Sequence, residues 1–255
     1  MNPSSYLHNI CENRLRNLLY LVFNIFVVHL FKLFNTNRIK LIKPMIIKKF
    51  TFNSFQENTY IISSQDKCMI IDPGCSTSSE KKILENYISI NNLKPIILIN
   101  THCHLDHIFG NKFVSEKYEL TPKMHIKDFP LLERSVEIAK LYNVQLDPPP
   151  LNVDFIKENE LIQLGETKWK IIFTPGHAPG HICLIEESKK KLIAGDVIFF
   201  MSVGRTDLPG SSHSDLMDSI KNKLFVLEDD IEIYCGHGEN TSIGFEKKNN
   251  PFLRL

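Results

Sequence analysis

The chain reads as an α/β protein built from two packed sheets with helices on their outer faces. Three observations predict this class. Short apolar runs bounded by turns recur from about residue 45 to residue 235, as buried strands do. Helix-like stretches alternate with them up to about residue 142, and strand-like runs resume from about residue 155. Several runs end in a turn that carries His or Asp, so loops from one rim of a sheet can converge on one point.

The elements follow in chain order. Residues 1–44 stand apart as an apolar N-terminal extension, and the domain is expected over 45–255. Within the extension Leu18–Phe31 is apolar apart from Asn24 and His29, with Arg14 and Arg16 before it and Lys32 after. Its fourteen residues fall short of the ~20 that a spanning helix needs. No small-residue cleavage site of signal-peptide type follows it. A membrane-surface anchor is the one membrane contact left open, and Met45 is a candidate start. His8 and His29 lie in this stretch and carry no assignment.

Strands are expected near 45–72, and Pro95–Asn100 reads as a buried strand. Thr101-His-Cys-His-Leu-Asp-His107 follows it, and Asp106–Tyr118 reads as a helix. Asp128–Asn143 has the spacing of an amphipathic helix, through Leu131, Leu132, Val136, Ile138 and Leu141. It would cover the sheet or border a substrate mouth. Asp147-Pro-Pro-Pro150 is a stiff, non-helical linker. Then Trp169–Thr174 runs into Pro175-Gly-His177, Lys191–Ala194 into Gly195-Asp196, and Ile231–Cys235 into Gly236-His-Gly238. Glycine before a donor lets the backbone turn sharply and approach an ion closely.

Three imidazoles and a carboxylate within residues 102–107 are hard to explain by packing. Neutral histidine is the commonest metal ligand near pH 7. His102, His104 and His177 would form one three-histidine site, and Asp106, His107 and His237 a second, with Asp196 bridging the two. Two divalent ions so held would share a hydroxide and provide a nucleophile without a serine or cysteine. Asp106 and Asp196 would orient it as well as bind metal. Zinc is the default for such donors, two ions per chain, with iron or manganese also compatible. The six cysteines form no CxxC, which argues against a thiolate zinc knuckle. Cys103 is expected to point into the core, and free thiols suit a reducing cytoplasm. His181 would contact a ligand rather than an ion. His125 reads as an ordinary strand-end residue.

The order HxHxDH, GH, GD, GH resembles the metallo-β-lactamase superfamily. The segments Thr174-Pro-Gly-His-Ala-Pro-Gly-His181, Gly195-Asp-Val-Ile-Phe199, Gly204–Gly210, Thr241–Phe252 and Asn53–Tyr60 resemble the short glyoxalase II-like hydrolases. The likeness spans about residues 45–255. It implies a four-layer αββα sandwich with the site along one edge, and the same seven ligands: His102, His104, His177, Asp106, His107, His237 and Asp196. It also implies hydrolysis of thioesters of the S-lactoylglutathione kind. Full-length glyoxalase II enzymes carry a C-terminal helical region with cationic glutathione contacts. The stretch after His237 is too short for it, so a related small thioester is an equal expectation. Arg205, His213, Lys247 and Lys248 are the candidates for holding substrate. Alternatives on the same fold are a mononuclear iron oxygenase of persulfide dioxygenase type and a lactone or phosphodiester hydrolase. With 30 basic and 29 acidic residues and a net charge of +1, the chain shows no footprint for nucleic acid.

Overall fold

A computed structural model describes residues 44–253 and, ahead of them, Val22, Phe23 and Phe26. The extension expected over residues 1–44 therefore lies outside the described residues, apart from those three and Pro44. Among the described residues no helix is long and apolar enough to cross a membrane.

Two six-stranded sheets make the architecture. In the first, β1 (Ile46–Phe52), β2 (Glu57–Ser64), β3 (Lys67–Ile71), β4 (Lys94–Ile99), β5 (Pro122–Met124) and β6 (Asp154–Phe155) lie in that spatial order. The first three pair antiparallel, and β3 to β6 pair parallel. Parallel neighbours need crossovers. Helix α1 (Ser78–Ile90) links β3 to β4, while α2 (Leu105–Ile108) and α3 (Asn111–Tyr118) link β4 to β5. Helix α1 opens with a capping box, in which Thr77 accepts from the Glu80 N–H and Glu80 accepts in return from the Thr77 N–H. Helices α4 (Phe129–Glu133) and α5 (Ser135–Leu141) precede β6.

The second sheet contains β7 (Leu161–Leu164), β8 (Thr167–Phe173), β9 (Ile182–Glu186), β10 (Lys191–Gly195), β13 (Glu232–Cys235) and β14 (Thr241–Ser242). A small hairpin of β11 (Ile198–Phe199) and β12 (Ser202–Val203) and helix α6 (His213–Asp218) lie between β10 and β13. Helix α7 (Ile243–Asn249) follows β14.

Period-two alternation divides the apolar side chains between layers. Tyr60 and Ile62 on β2, Met69 and Ile71 on β3, and Ile97 and Ile99 on β4 meet Trp169, Ile171, Ile182, Leu184 and Ile193 of the other sheet. The residues between them face outward. Ile61, Cys68, Ile70 and Leu98 pack on Leu84, Ile88 and Val114 of α1 and α3. Cys183, Ile185, Leu192 and Ala194 pack on Leu216, Ile220 and Ile243. The result is helix, sheet, sheet, helix, as expected.

Two expected helices are broken. The stretch read as one helix over 106–118 is two, because the Gly110 N–H leaves the helical ladder and donates to the Pro73 carbonyl at 2.6 Å. The stretch read as one helix over 128–143 divides at Arg134, whose backbone leaves the helical region. Leu132 then packs with Cys103 and Met124, whereas Ala139 and Ile138 pack on Leu105 and Phe109 of the turn that follows the histidine cluster. Leu141 is exposed. The segment thus serves both expected places, its first half against the sheet and its second beside the donor-bearing turn.

Candidate metal centre

Each donor sits just past a strand. His102 and His104 follow β4, and Asp106 and His107 occupy the first turn of α2. His177 lies in the β8–β9 connection, Asp196 follows β10, and His237 follows β13. All seven residues meet. His102, His104 and His177 each offer one donor atom, and these atoms lie within 4.8 Å of one another. Asp106, His107 and His237 form a second such group.

Asp196 lies between them. Its Oδ1 stands 3.4 Å from His107 Nε2, and its Oδ2 stands 3.5 Å from His177 Nε2 and 3.4 Å from His237 Nε2. Asp106 Oδ2 is 3.2 Å from His237 Nε2 and 3.7 Å from His107 Nε2. Two donors on one tetrahedral zinc, with bonds of 2.0–2.2 Å, stand about 3.3–3.6 Å apart, so these spacings fit a shared cation. A second observation agrees. His102 Nε2, His107 Nε2 and Asp196 Oδ1 are buried without a hydrogen-bond partner, a state that costs about 1–3 kcal/mol per group unless something binds there.

The opposite ring nitrogens fix the tautomers, because a carbonyl or carboxylate oxygen can only accept. His177 Nδ1–H donates to the Arg205 carbonyl at 2.8 Å, and His237 Nδ1–H to the Phe55 carbonyl at 3.1 Å. His107 Nδ1–H donates to Asp72 Oδ2 at 3.1 Å. Thr101 gives its hydroxyl proton to Asp72 Oδ2 at 2.6 Å, so its oxygen accepts from His102 Nδ1–H at 3.1 Å. In each ring Nε2 is the nitrogen left facing the other donors. His104 differs, presenting Nδ1 at 2.9 Å from His177 Nε2.

Charge divides the two groups. Burial, then the neighbouring His107 and His104, holds His102 well below the ordinary imidazole range. Burial and His177 push His104 down to about 3. For His107 burial opposes the charged form, but Asp196, Asp106 and Asp72 outweigh it and hold its pKa well above the ordinary range. Burial opposes the charge on His237 too, yet hydrogen bonds to Asp106 and Asp196 raise it to about 9. Asp196 and Asp106 are lowered despite burial, Asp196 by His107 and His237 and Asp106 by His107 and His237 likewise.

Close approach is built into the backbone at Gly236. A Cβ there would collide with Asp196 Oδ1 and stand 3.0 Å from His107 Cε1. His181 plays the expected supporting part. The Asp196 N–H donates to its Nε2 at 3.0 Å, and its Nδ1 lies 3.0 Å from the Thr174 hydroxyl. Cys103 points into the core, with its Sγ 3.4 Å from Met124 Sδ. His125 follows β5 and stacks on Phe173.

The candidate substrate residues fare differently. The Arg205 side chain is engaged bidentately by Asp207 at 2.6 and 2.7 Å. Lys247 is bound to Asp229 at 2.6 Å and to the Leu227 carbonyl, before β13 begins, whereas His237 follows that strand's end. Lys248 is exposed and makes no hydrogen bond or ion pair with the donors. The structure brings neither lysine to the donor cluster. Exposed His213 lies 3.4 Å from Thr206, in the loop whose Arg205 carbonyl holds His177.

Sequence reasoning missed Asp72, which orients His102 and His107 and also accepts the Thr101 N–H at 2.7 Å. Its signal was available, since it ends the apolar run Met69-Ile-Ile71. Glu57 was missed as well. It is fully buried, accepts from the Thr59 hydroxyl, and lies 3.9 Å from His107 Nδ1; burial, the largest influence, raises its carboxyl well above the usual range.

The fold is shared with known proteins. The family model of the metallo-beta-lactamase superfamily matches residues 53–238. The hydroxyacylglutathione hydrolase GloC of Haemophilus influenzae is 35% identical over 219 residues, covering 82% of this chain and 98% of that protein. The crystal structure of the BLEG-1 B3 metallo-beta-lactamase is similar with a TM-score of 0.76 at 28% identity, covering 82% of this chain and all of the other. That of TTHA1623 in a di-iron-bound form is similar with a TM-score of 0.73 at 32% identity, over 81% of this chain and 100% of the other.

Proposed function

The chain belongs to the metallo-beta-lactamase superfamily, and from that premise we propose that it is a metal-dependent hydrolase of small thioesters, S-acyl glutathiones among them. One observation carries the reading. Asp196 spans two complete donor groups, each of which offers three further side chains. His102, His104 and His177 would hold one cation, Asp106, His107 and His237 a second, and Asp196 both. Zinc suits the imidazole-rich set, and iron is the metal of the similar TTHA1623 structure. Likeness to the hydroxyacylglutathione hydrolase GloC supports the thioester class.

When bound, divalent cations supply polarisation of a carbonyl oxygen and a water acidic enough to attack near neutral pH. The protein does the rest. Asp106 and Asp196 sit where they can accept a proton and orient an attacking water. Asp72 and the carbonyls of Arg205 and Phe55 keep the Nε2 lone pairs aimed inward. A thiolate is a good leaving group, so no further general acid is required. Phe55 packs on Phe109, and Phe199 lies edge-on to His237 at 6.0 Å, which gives an apolar wall for the acyl portion beside the second group. A mononuclear oxygenase would need only one of the two groups, so the completeness of both supports the hydrolase. The five described cysteines are free and buried, which fits a reducing cytoplasm.

The test is metal-resolved kinetics. The purified protein is expected to hold two equivalents, lose turnover on chelation, and regain it with added metal. S-lactoylglutathione and a simple acyl thioester should both be cleaved. Full hydrolysis by metal-free protein would overturn the reading.

A further inference from the structure

Asp128 belongs to neither donor group, yet its carboxylate holds the two segments that carry the first. It is fully buried at the head of α4. Its Oδ2 accepts the N–H of Cys103, between His102 and His104, at 2.7 Å. Its Oδ1 accepts the N–H of Gly180, in the β8–β9 connection that carries His177. Elsewhere these segments are joined by one backbone bond, from the Ile182 N–H to the Thr101 carbonyl at 2.9 Å. Burial pushes the carboxyl up to about 6, against the pull of the two N–H groups. In its ionised form it makes the stronger hydrogen bonds. Gly180 is shaped to the same contact, since a Cβ there would stand 2.7 Å from Asp128 Oδ1 and collide with the Asp128 backbone nitrogen.

We propose that Asp128 is a positioning residue that sets the spacing of His102, His104 and His177 by clamping the Cys103 and Gly180 amides with one carboxylate. The inference rests on reading those histidines as metal ligands. Its carboxylate makes no hydrogen bond to Asp106, His107, His237 or Asp72, so its effect is expected to fall mainly on the first group.

Asp128→Asn tests this, because the side-chain amide keeps one acceptor and turns a donor toward the other N–H. Zinc titration of the apoprotein against a competing chelator separates two binding steps, assigned by their loss in His104→Ala and His237→Ala. In Asp128→Asn the step assigned by His104 is expected to weaken about 10–100-fold. The step assigned by His237 should move less than about twofold. Equal weakening of both steps would overturn the clamp. If Asp128→Asn does not fold, amide exchange on the wild-type protein decides. Cys103 and Gly180 are expected to be protected with and without zinc, and free exchange in the apoprotein would overturn the proposal. A wild type that binds no zinc would defeat the hydrolase reading, while the amide measurement would still decide the clamp.

Discussion

The two donor groups share Asp196 but stand in opposite electrostatic surroundings. His102 and His104 keep company with other imidazoles, and burial plus those neighbours hold both pKa values down. His107 and His237 keep company with carboxylates, and both are raised despite burial. The same side chain is therefore neutral in one group and a proton carrier in the other, according to the charge beside it. The first group offers lone pairs ready for a cation at neutral pH. In the second a cation must displace a proton.

Breaking the shared residue should have the largest effect. Asp196→Asn removes the carboxylate that both groups face, and turnover is expected to fall by more than the roughly 100-fold upper end for residues that only support a ligand. Metal analysis should show lost equivalents. A variant with wild-type metal content and turnover would dissolve the comparison, because the groups would then be independent. Asp72→Asn comes next. Asp72 accepts from His107 directly and from His102 through Thr101, so metal affinity in both groups should drop about 10–100-fold. Asp72→Asn and Asp128→Asn thus differ in reach, the first spanning both groups and the second one.

The protonation contrast sharpens into a pH test. Against burial, hydrogen bonds to Asp106 and Asp196 raise His237 from an ordinary 6.5 to about 9. Its raised folded value stabilises the metal-free protein fully below about 6.5, and that contribution is lost as pH rises through about 9. Over the same window a cation gains access, so the binding step that disappears in His237→Ala should tighten about tenfold per pH unit for each proton displaced. His104 is depressed to about 3. Its effect on stability has the opposite sense, a loss as pH falls below about 6.5, where only the unfolded chain takes up the proton. The binding step that disappears in His104→Ala should be nearly flat above pH 7. Calorimetry in buffers of different ionisation enthalpy counts the protons released in each step. Equal release in both would show that the carboxylates do not divide the site.

The convergence of the seven candidate donors was legible in the sequence because each lies just past a strand on the same rim. The strands were legible from their apolar runs, and β4, β8, β10 and β13 lie within two residues of them. What was not legible depends on contacts across the chain. The end of an apolar run marked Asp72, but its role was hidden, because it acts one bond away from the donors, across 35 positions to His107. The breaks at Gly110 and Arg134 escape a periodicity argument, since the Gly110 N–H is captured by Pro73 from another loop. Lys247 shows the same limit, because its sequence neighbourhood does not reveal that Asp229 takes its charge before β13 begins.

Arg205 carries the smallest expected effect and separates a residue's backbone from its side chain. Its carbonyl accepts from His177 Nδ1, so the loop's course matters to the first group. Its guanidinium is exposed and occupied by Asp207, and solvent-screened pairs of this kind contribute little. Arg205→Ala keeps the carbonyl and removes only the charge. Metal content should be unchanged, and KM should shift less than about fivefold and equally for S-lactoylglutathione and an uncharged thioester. A KM that rises for the glutathione ester alone would mean that Asp207 releases the guanidinium to a substrate carboxylate, and the second group's apolar wall would then be only half of the recognition surface.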